Sequence, residues 1–129
     1  MFKKNILIFF VFLLTPFFCN SEWFKLFTIS KGNLYLETNS ISRTGNSVFF
    51  SQLVDYKKVQ PNGMLSFKVY SEINCKSLQI RDLNYETYKN HMGIGNNFYK
   101  GKPNKRWKRS DPGSSVHFLN KILCDRVSN

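Results

Sequence analysis

Between residues 23 and 88, one part of the chain alternates apolar and polar side chains with the period of two that is typical of β-strands. The clearest alternation runs from Leu65 to Cys75 and is interrupted only at Ser71. We predict here an antiparallel strand with one face in a core and the other in water. The core face would carry Leu65, Phe67, Val69, Ile73 and Cys75, and the wet face Ser66, Lys68, Tyr70, Glu72 and Asn74.

Four further segments are rich in aromatic and β-branched residues, which favour strands. A bend or bulge is expected near Arg81 and Asp82, because the apolar positions change face there. The predicted strands are 23–29, 33–37, 47–59 and 77–88, and the predicted turns are 30–32, 38–40, 44–46 and 60–63.

The period changes near the C-terminus, where Val116, Leu119, Ile122 and Leu123 recur at helical spacing. This pattern predicts one amphipathic helix over residues 116–127, with Ser114 or Ser115 capping its first N–H groups. A helix that follows a run of strands indicates an α+β fold, in which the helix packs on an antiparallel sheet.

The first 21 residues have the pattern of a secretory signal peptide. Lys3 and Lys4 precede an uncharged apolar run over 6–18, and small residues follow, which predicts cleavage after Ser21. An uncleaved membrane anchor is the alternative. Lipidation of Cys19 is disfavoured, because Phe18 stands where a small residue is normally required. We therefore expect a leader over 1–21 and one exported domain over 22–129, in the periplasm or on the outer cell surface.

Removal of the leader changes the cysteine count from three to two. Cys75 and Cys124 remain, and a pair of cysteines in an exported protein favours a disulfide. The alternative is two buried free thiols. A Cys75–Cys124 bond would join the predicted helix to the core face of the strand that ends near Cys75.

The 129-residue chain has 19 Lys and Arg against 8 Asp and Glu, a net charge of +11. Six of the basic residues lie in 97–109, which contains no acid and which we predict to be a loop between the last strand and the helix. Basic side chains interleaved with aromatic rings can bind a protein surface, an anionic polymer or a lipid headgroup. Nucleic acid is an unlikely partner for an exported protein. The candidate ligand-binding residues are Lys100, Lys102, Lys105, Arg106, Trp107, Lys108 and Arg109.

A less specific interpretation of the same segment is a solvated loop that raises solubility, with Trp107 packed against the core.

Catalytic chemistry has little support in the rest of the sequence. His91 and His117 are the only histidines, they lack partners at metal-ligand spacing, and no nucleophile-elbow motif occurs. We therefore predict no metal, no cofactor and no enzymatic activity, with a small hydrolase as a remote alternative.

The chain resembles the surface-adhesin protein E family of small exported bacterial proteins over nearly all of 22–129. The resemblance is carried by short pieces in a fixed order, together with the cysteine pair. These pieces are Glu22-Trp23, residues 34–41, 54–58, 70–75, Trp107, residues 112–115 and Leu123-Cys124.

This resemblance implies an antiparallel sheet of about six strands, with a C-terminal helix tethered across it. It also implies a binding function, since the named adhesin of the family binds host extracellular-matrix proteins. The chain differs from the family pattern in its strongly basic 100–109 and at Thr38-Asn39. The alternative function is a structural protein of the periplasm without adhesin activity, and the oligomeric state stays open.

Overall fold

The computed structural model describes residues 23–129 of the chain. The predicted signal peptide, its cleavage after Ser21 and the disfavoured lipidation of Cys19 lie outside the described residues.

Seven strands form a single antiparallel sheet, and one helix follows them, which confirms the predicted α+β fold. The first six strands are adjacent in the order of the sequence, and the short seventh strand pairs with β5 beside β6. The elements are β1 (Trp23–Ile29), β2 (Gly32–Thr44), β3 (Ser47–Tyr56), β4 (Ser66–Asn74), β5 (Gln79–Tyr88), β6 (Asn97–Gly101), β7 (Lys108–Arg109) and α1 (Ser115–Arg126).

The turn predicted at 38–40 is wrong, because β2 runs without a break from Gly32 to Thr44. The register with β3 shifts between Glu37 and Ser42, so the turn-forming residues produce an irregularity inside a strand. The Ser40 hydroxyl donates to the Glu37 carbonyl at 2.6 Å and accepts from the Ser51 N–H at 2.7 Å. This side chain takes the place of regular ladder bonds, and β2 therefore continues past the bulge.

The irregularity predicted near Arg81 and Asp82 is confirmed. The pairing of β4 with β5 shifts between Tyr70 and Ser71, where the partner changes from Asn84 to Asp82.

The main core lies between α1 and one face of the sheet. Val48, Phe50 and Ile73 are fully buried there, and Leu36 lies beside them under Leu119 and Leu123 of the helix. Within α1 the buried positions are Leu119, Asn120 and Leu123. The expectation that Val116 and Ile122 share this stripe is wrong, since both are exposed. The buried stripe is narrower than the apolar spacing suggested.

The two faces predicted for β4 are confirmed only in part. Phe67 and Val69 are half-buried and lie outside the core cluster, because α1 covers only the end of the face that holds Ile73. On the opposite face Ser66 and Glu72 are buried, although both were predicted to be wet. Ser66 donates to the Asn90 carbonyl and accepts from the Gly93 N–H of a single 3-10 turn (His91–Gly93) that lies against this face.

A disulfide joins Cys75 to Cys124, as predicted, and connects the end of β4 to α1. A second link was not predicted from the sequence. The Arg43 guanidinium of β2 donates to the carbonyls of Cys124 at 2.7 Å and Val127 at 2.9 Å. Carbonyls at a helix C-terminus lack intrahelical partners, so this arginine caps the end of α1. Of the two serines predicted as possible caps at the other end, Ser114 is the cap, since its hydroxyl accepts from the His117 N–H.

Within residues 23–129, no helix is long and apolar enough to cross a membrane.

Candidate functional site

The basic segment, defined here as residues 100–109, lies along one edge of the sheet. Its first residues belong to β6 and its last to β7, and both strands pair with β5 in the same antiparallel direction. The prediction of a loop is therefore wrong at both ends and correct only between them. The free hydrogen-bonding edge of β5 accounts for the difference, because it satisfies backbone groups that a loop would leave to water.

The strand register shows how far apart the charges lie. Lys100 pairs with Glu86, and Lys108 pairs with Ile80, six residues further back along β5. At the rise of a β-strand this is about 20 Å. The segment thus forms an extended row of positive charge and does not gather around one point.

All six basic side chains of the segment are exposed. The ion pairs found among residues 23–129 do not include any of them. Their charges are consequently open to solvent, and the protein itself does not neutralise them by direct contact. These residues are Lys100, Lys102, Lys105, Arg106, Lys108 and Arg109.

Trp107 differs from its basic neighbours, because it is half-buried and anchors the segment to the sheet. Its ring stacks on the Arg81 guanidinium, with 4.4 Å from the guanidinium carbon to the ring centroid. Arg81 bonds to the Glu72 carboxylate at 2.7 Å, and Ser47 donates to the other oxygen of Glu72 at 2.6 Å. A chain of contacts thus runs from Ser47 on β3 to Trp107.

Sequence reasoning missed Arg81 and Glu72 as supports of this segment. They are opposite charges that face each other across β4 and β5, and cross-strand pairs of this kind stabilise sheets. The signal is present in the sequence, but it can be recognised only once the strand register is known.

Replacing Arg81 by Lys should loosen Trp107 while keeping the positive charge. An ammonium group lacks the planar surface that stacks on indole, so we expect a loss of about 1 kcal/mol in unfolding free energy. Trp107 fluorescence should shift to longer wavelength as the ring gains solvent exposure. The measurement is made in a Trp23→Phe background, so that Trp107 is the only tryptophan. An unchanged emission spectrum would contradict the anchoring role.

The β6 end of the segment borders a shallow cavity of about 260 Å³ that Lys100 and Lys102 line together with Tyr85. A Cβ at Gly101 would lie 2.2 Å from Cζ of Tyr85, so any side chain at this position would force the Tyr85 ring to move. The ring of Tyr85 lies 5.8 Å from that of Tyr99, centroid to centroid. The side-chain hydrogen bond with Tyr99 raises the pKa of Tyr85, so this hydroxyl stays neutral beside the lysines.

The β7 end borders a second cavity, of about 380 Å³, lined by Arg109 and His117 among others. The Ser110 hydroxyl lies 3.2 Å from Nδ1 of His117. The other histidine, His91, is exposed, with its Nδ1 3.0 Å from a carboxylate oxygen of Asp55. In the part of the chain that the structure describes, no three His, Cys, Asp or Glu residues are grouped as they would be around a metal ion.

Comparison with known proteins gives a family and a fold. The family model described as Surface-adhesin protein E matches residues 23–125. No curated protein sequence matches the chain.

Solved structures of Haemophilus influenzae protein E have a similar fold. The crystal structure from the non-typeable organism matches with a TM-score of 0.61 at 20% identity, over 85% of this chain and 80% of that one. The selenomethionine form matches with a TM-score of 0.63 at 18% identity, over 87% of this chain and 92% of that one.

Proposed function

The chain belongs to the surface-adhesin protein E family, and from this premise we propose that it is an exported, adhesin-like binding protein of the cell envelope. We propose that it has no enzymatic activity. We also propose that it has a partner outside the cell or in the cell envelope. The proposal also includes the leader over 1–21, whose cleavage would release the domain that the family match covers.

The basic segment is the ligand-contacting region in this proposal. The observation that carries it is a row of six exposed basic side chains, unpaired among residues 23–129, along one edge of the sheet. Positive charge at this density attracts polyanions and acidic protein surfaces and speeds their association. An extended ligand suits the row, because its charges are spread over about 20 Å and not gathered in a pocket.

Trp107 contributes mainly by holding the segment in place. One face of its ring contacts Arg81, so the ring is less available to a ligand than the basic side chains are. Lys105 and Arg106 lie between the two paired strands, where the backbone is free of the ladder. We propose them as the residues that adapt most readily to a partner.

A second candidate function is a structural envelope protein without adhesin activity. Lysines on an edge strand hinder pairing with strands of other molecules, and a protective role would account for part of the same charge pattern. Protease treatment of intact cells separates the two functions. Cleavage of the protein on intact cells supports surface exposure and adhesion, whereas protection supports a periplasmic structural role.

Binding to immobilised heparin tests the basic segment. The variant replaces Lys105, Arg106, Lys108 and Arg109 with alanine, and its matched control replaces Lys25, Lys76, Lys121 and Arg126, which are also exposed and whose loss also removes four charges. We expect the segment variant to elute at clearly lower salt than the wild type, because fewer counterions are released on binding. The control should shift much less. Equal shifts in both variants would show that total charge, and not this segment, determines binding.

A further inference from the structure

The end of the sheet away from α1 carries a second basic surface that the proposed function does not use. This strand-end surface consists of the connecting segments 30–31, 57–65 and 89–96 with the strand residues that border them. We propose that it docks on a lipid bilayer rich in anionic headgroups. The proposal is independent of the basic segment, since the two surfaces share no residue.

The charged side chains in the connecting segments of the strand-end surface are all positive. They contain four lysines and no acid. Lys31, Lys57 and Lys58 line one cavity of about 290 Å³ with Ser30 and Gln60. None of the three is in an ion pair found among residues 23–129. In such a cluster several lysine ammonium groups can donate hydrogen bonds to one headgroup phosphate.

Exposed apolar side chains accompany these lysines. Val59 is 62% exposed next to Lys58, and Ile94 is 64% exposed in the segment that follows Lys89. Ile29 is also exposed, directly before the Ser30-Lys31 turn. The transfer of large apolar side chains from water into the boundary between headgroups and acyl chains lowers their free energy. Phe98 adds to them at the start of β6, under the ammonium of Lys89.

The strand register brings these segments to one end of the molecule. Gly32 pairs with Tyr56, Ser66 with Tyr88, and Tyr88 with Asn97, so the connections extend from the same end of neighbouring strands. Six strands placed side by side give this end a width of about 24 Å. It is therefore broad enough to contact many lipid headgroups at once.

Hydrogen bonds fix the segments against the sheet. The Lys57 N–H donates to the Lys31 carbonyl at 2.9 Å. Asp55, the nearest acid in β3, is occupied, because its carboxylate accepts from the Met92 N–H and contacts the His91 ring. The lysines therefore make no direct ion pair with Asp55, and little ordering of these segments is needed on binding.

A bilayer fits this surface better than a soluble polyanion does. A soluble anion would engage the lysines and leave Val59 and Ile94 in water. Docking on lipid satisfies both the charges and the apolar tips. It also leaves α1 and β7 facing away from the bilayer, because β7 pairs with the opposite end of β5.

Co-sedimentation with vesicles tests the proposal, using the exported protein with the same N-terminus in every variant. Phosphatidylcholine vesicles that contain about 30% phosphatidylglycerol are compared with vesicles of phosphatidylcholine alone. Replacing Lys31, Lys57 and Lys58 by glutamine should weaken binding to the anionic vesicles about 100-fold, since each lysine near a charged surface contributes about fivefold. The matched control replaces Lys25, Lys76 and Lys121, which are exposed and belong to neither basic surface, by glutamine and should change binding by no more than about twofold.

Fluorescence of two further variants reports which surface meets the lipid. In a background with Trp23→Phe and Trp107→Phe, Val59→Trp should shift its emission to shorter wavelength on anionic vesicles, and Phe118→Trp on the exposed face of α1 should not. Equal loss of binding in the two lysine variants would overturn the proposal. So would release of the protein by millimolar inorganic phosphate without any shift at Val59→Trp, which would indicate a site for free anions.

Discussion

Removing the disulfide, by replacing Cys75 and Cys124 with alanine together, is expected to lower the free energy of unfolding by about 4 kcal/mol. The two cysteines are 49 residues apart in the sequence, so the bond closes a large loop in the unfolded chain. In the chain-entropy account, its removal restores the conformational freedom that this loop had lost. Chemical denaturation followed by circular dichroism gives the free energy.

The same experiment separates the cross-link from the packing of the two side chains. A reducing agent should bring the wild-type denaturation midpoint to that of the double variant and should leave the double variant unchanged. Arg43 would still cap α1 through the Cys124 and Val127 carbonyls. The helix should consequently stay folded in the native state of the variant. A loss below about 1 kcal/mol would contradict the role of the bond as a main stabilising element.

Truncating Phe50 to alanine is expected to destabilise the protein by about 3–5 kcal/mol. This side chain is fully buried in the core between the sheet and α1. Alanine loses the transfer free energy of the ring and leaves a cavity that the strands around it can close only in part. Thermal and denaturant unfolding measure the loss.

Phe118 provides a matched control for this truncation. It lies on α1, the element that covers Phe50, but it is 62% exposed. Phe118→Ala removes the same atoms from a site with few neighbours, so we expect a change within about 0.5 kcal/mol. Similar losses of unfolding free energy at both positions would mean that the face of α1 that carries Phe118 is also buried.

The two basic surfaces give the domain a polarity that total charge does not reveal. The basic segment lies along the β5 edge and reaches the end where α1 and the disulfide lie. The strand-end surface lies at the opposite end, with Lys31, Lys57 and Lys58 around one cavity. On our proposals, one surface faces the membrane while the other meets a partner, so mutations in one should leave the other's binding intact.

Local patterns predicted the elements whose own residues carry the signal. The alternation of apolar residues located β4, richness in aromatic and β-branched residues located β1, β3 and β5, and the helical spacing located α1 within one or two residues. Errors arose where a distant strand supplied the decisive bonds. Residues 38–40 have turn-forming side chains, yet pairing with β3 on either side of them, at Glu37 and at Ser42, keeps β2 continuous. Lys108 and Arg109 have no strand pattern, yet the open edge of β5 takes them as β7.

The candidate site likewise contains residues that the sequence identified and residues that only the structure revealed. The sequence identified the six basic residues of 100–109, because charge density is a local property of the chain. It did not identify Arg81 and Glu72 beneath Trp107, which lie more than twenty residues away in the sequence. The strand-end surface was missed for a related reason. Its lysines come from three separate connections, and only the strand register brings those connections together.

By itself, the sequence determined the fold class, the cysteine pair, the helix with a serine cap at its start and the location of the excess charge. These follow from side-chain periodicity, residue type and composition, which act over a few residues. Tertiary structure alone decided that the two ends of the basic segment are edge strands, that Arg43 caps α1 and that Trp107 stacks on Arg81. Each of these depends on hydrogen bonds or ring contacts between residues far apart in the chain, whose pairing is set by the packing of the whole sheet.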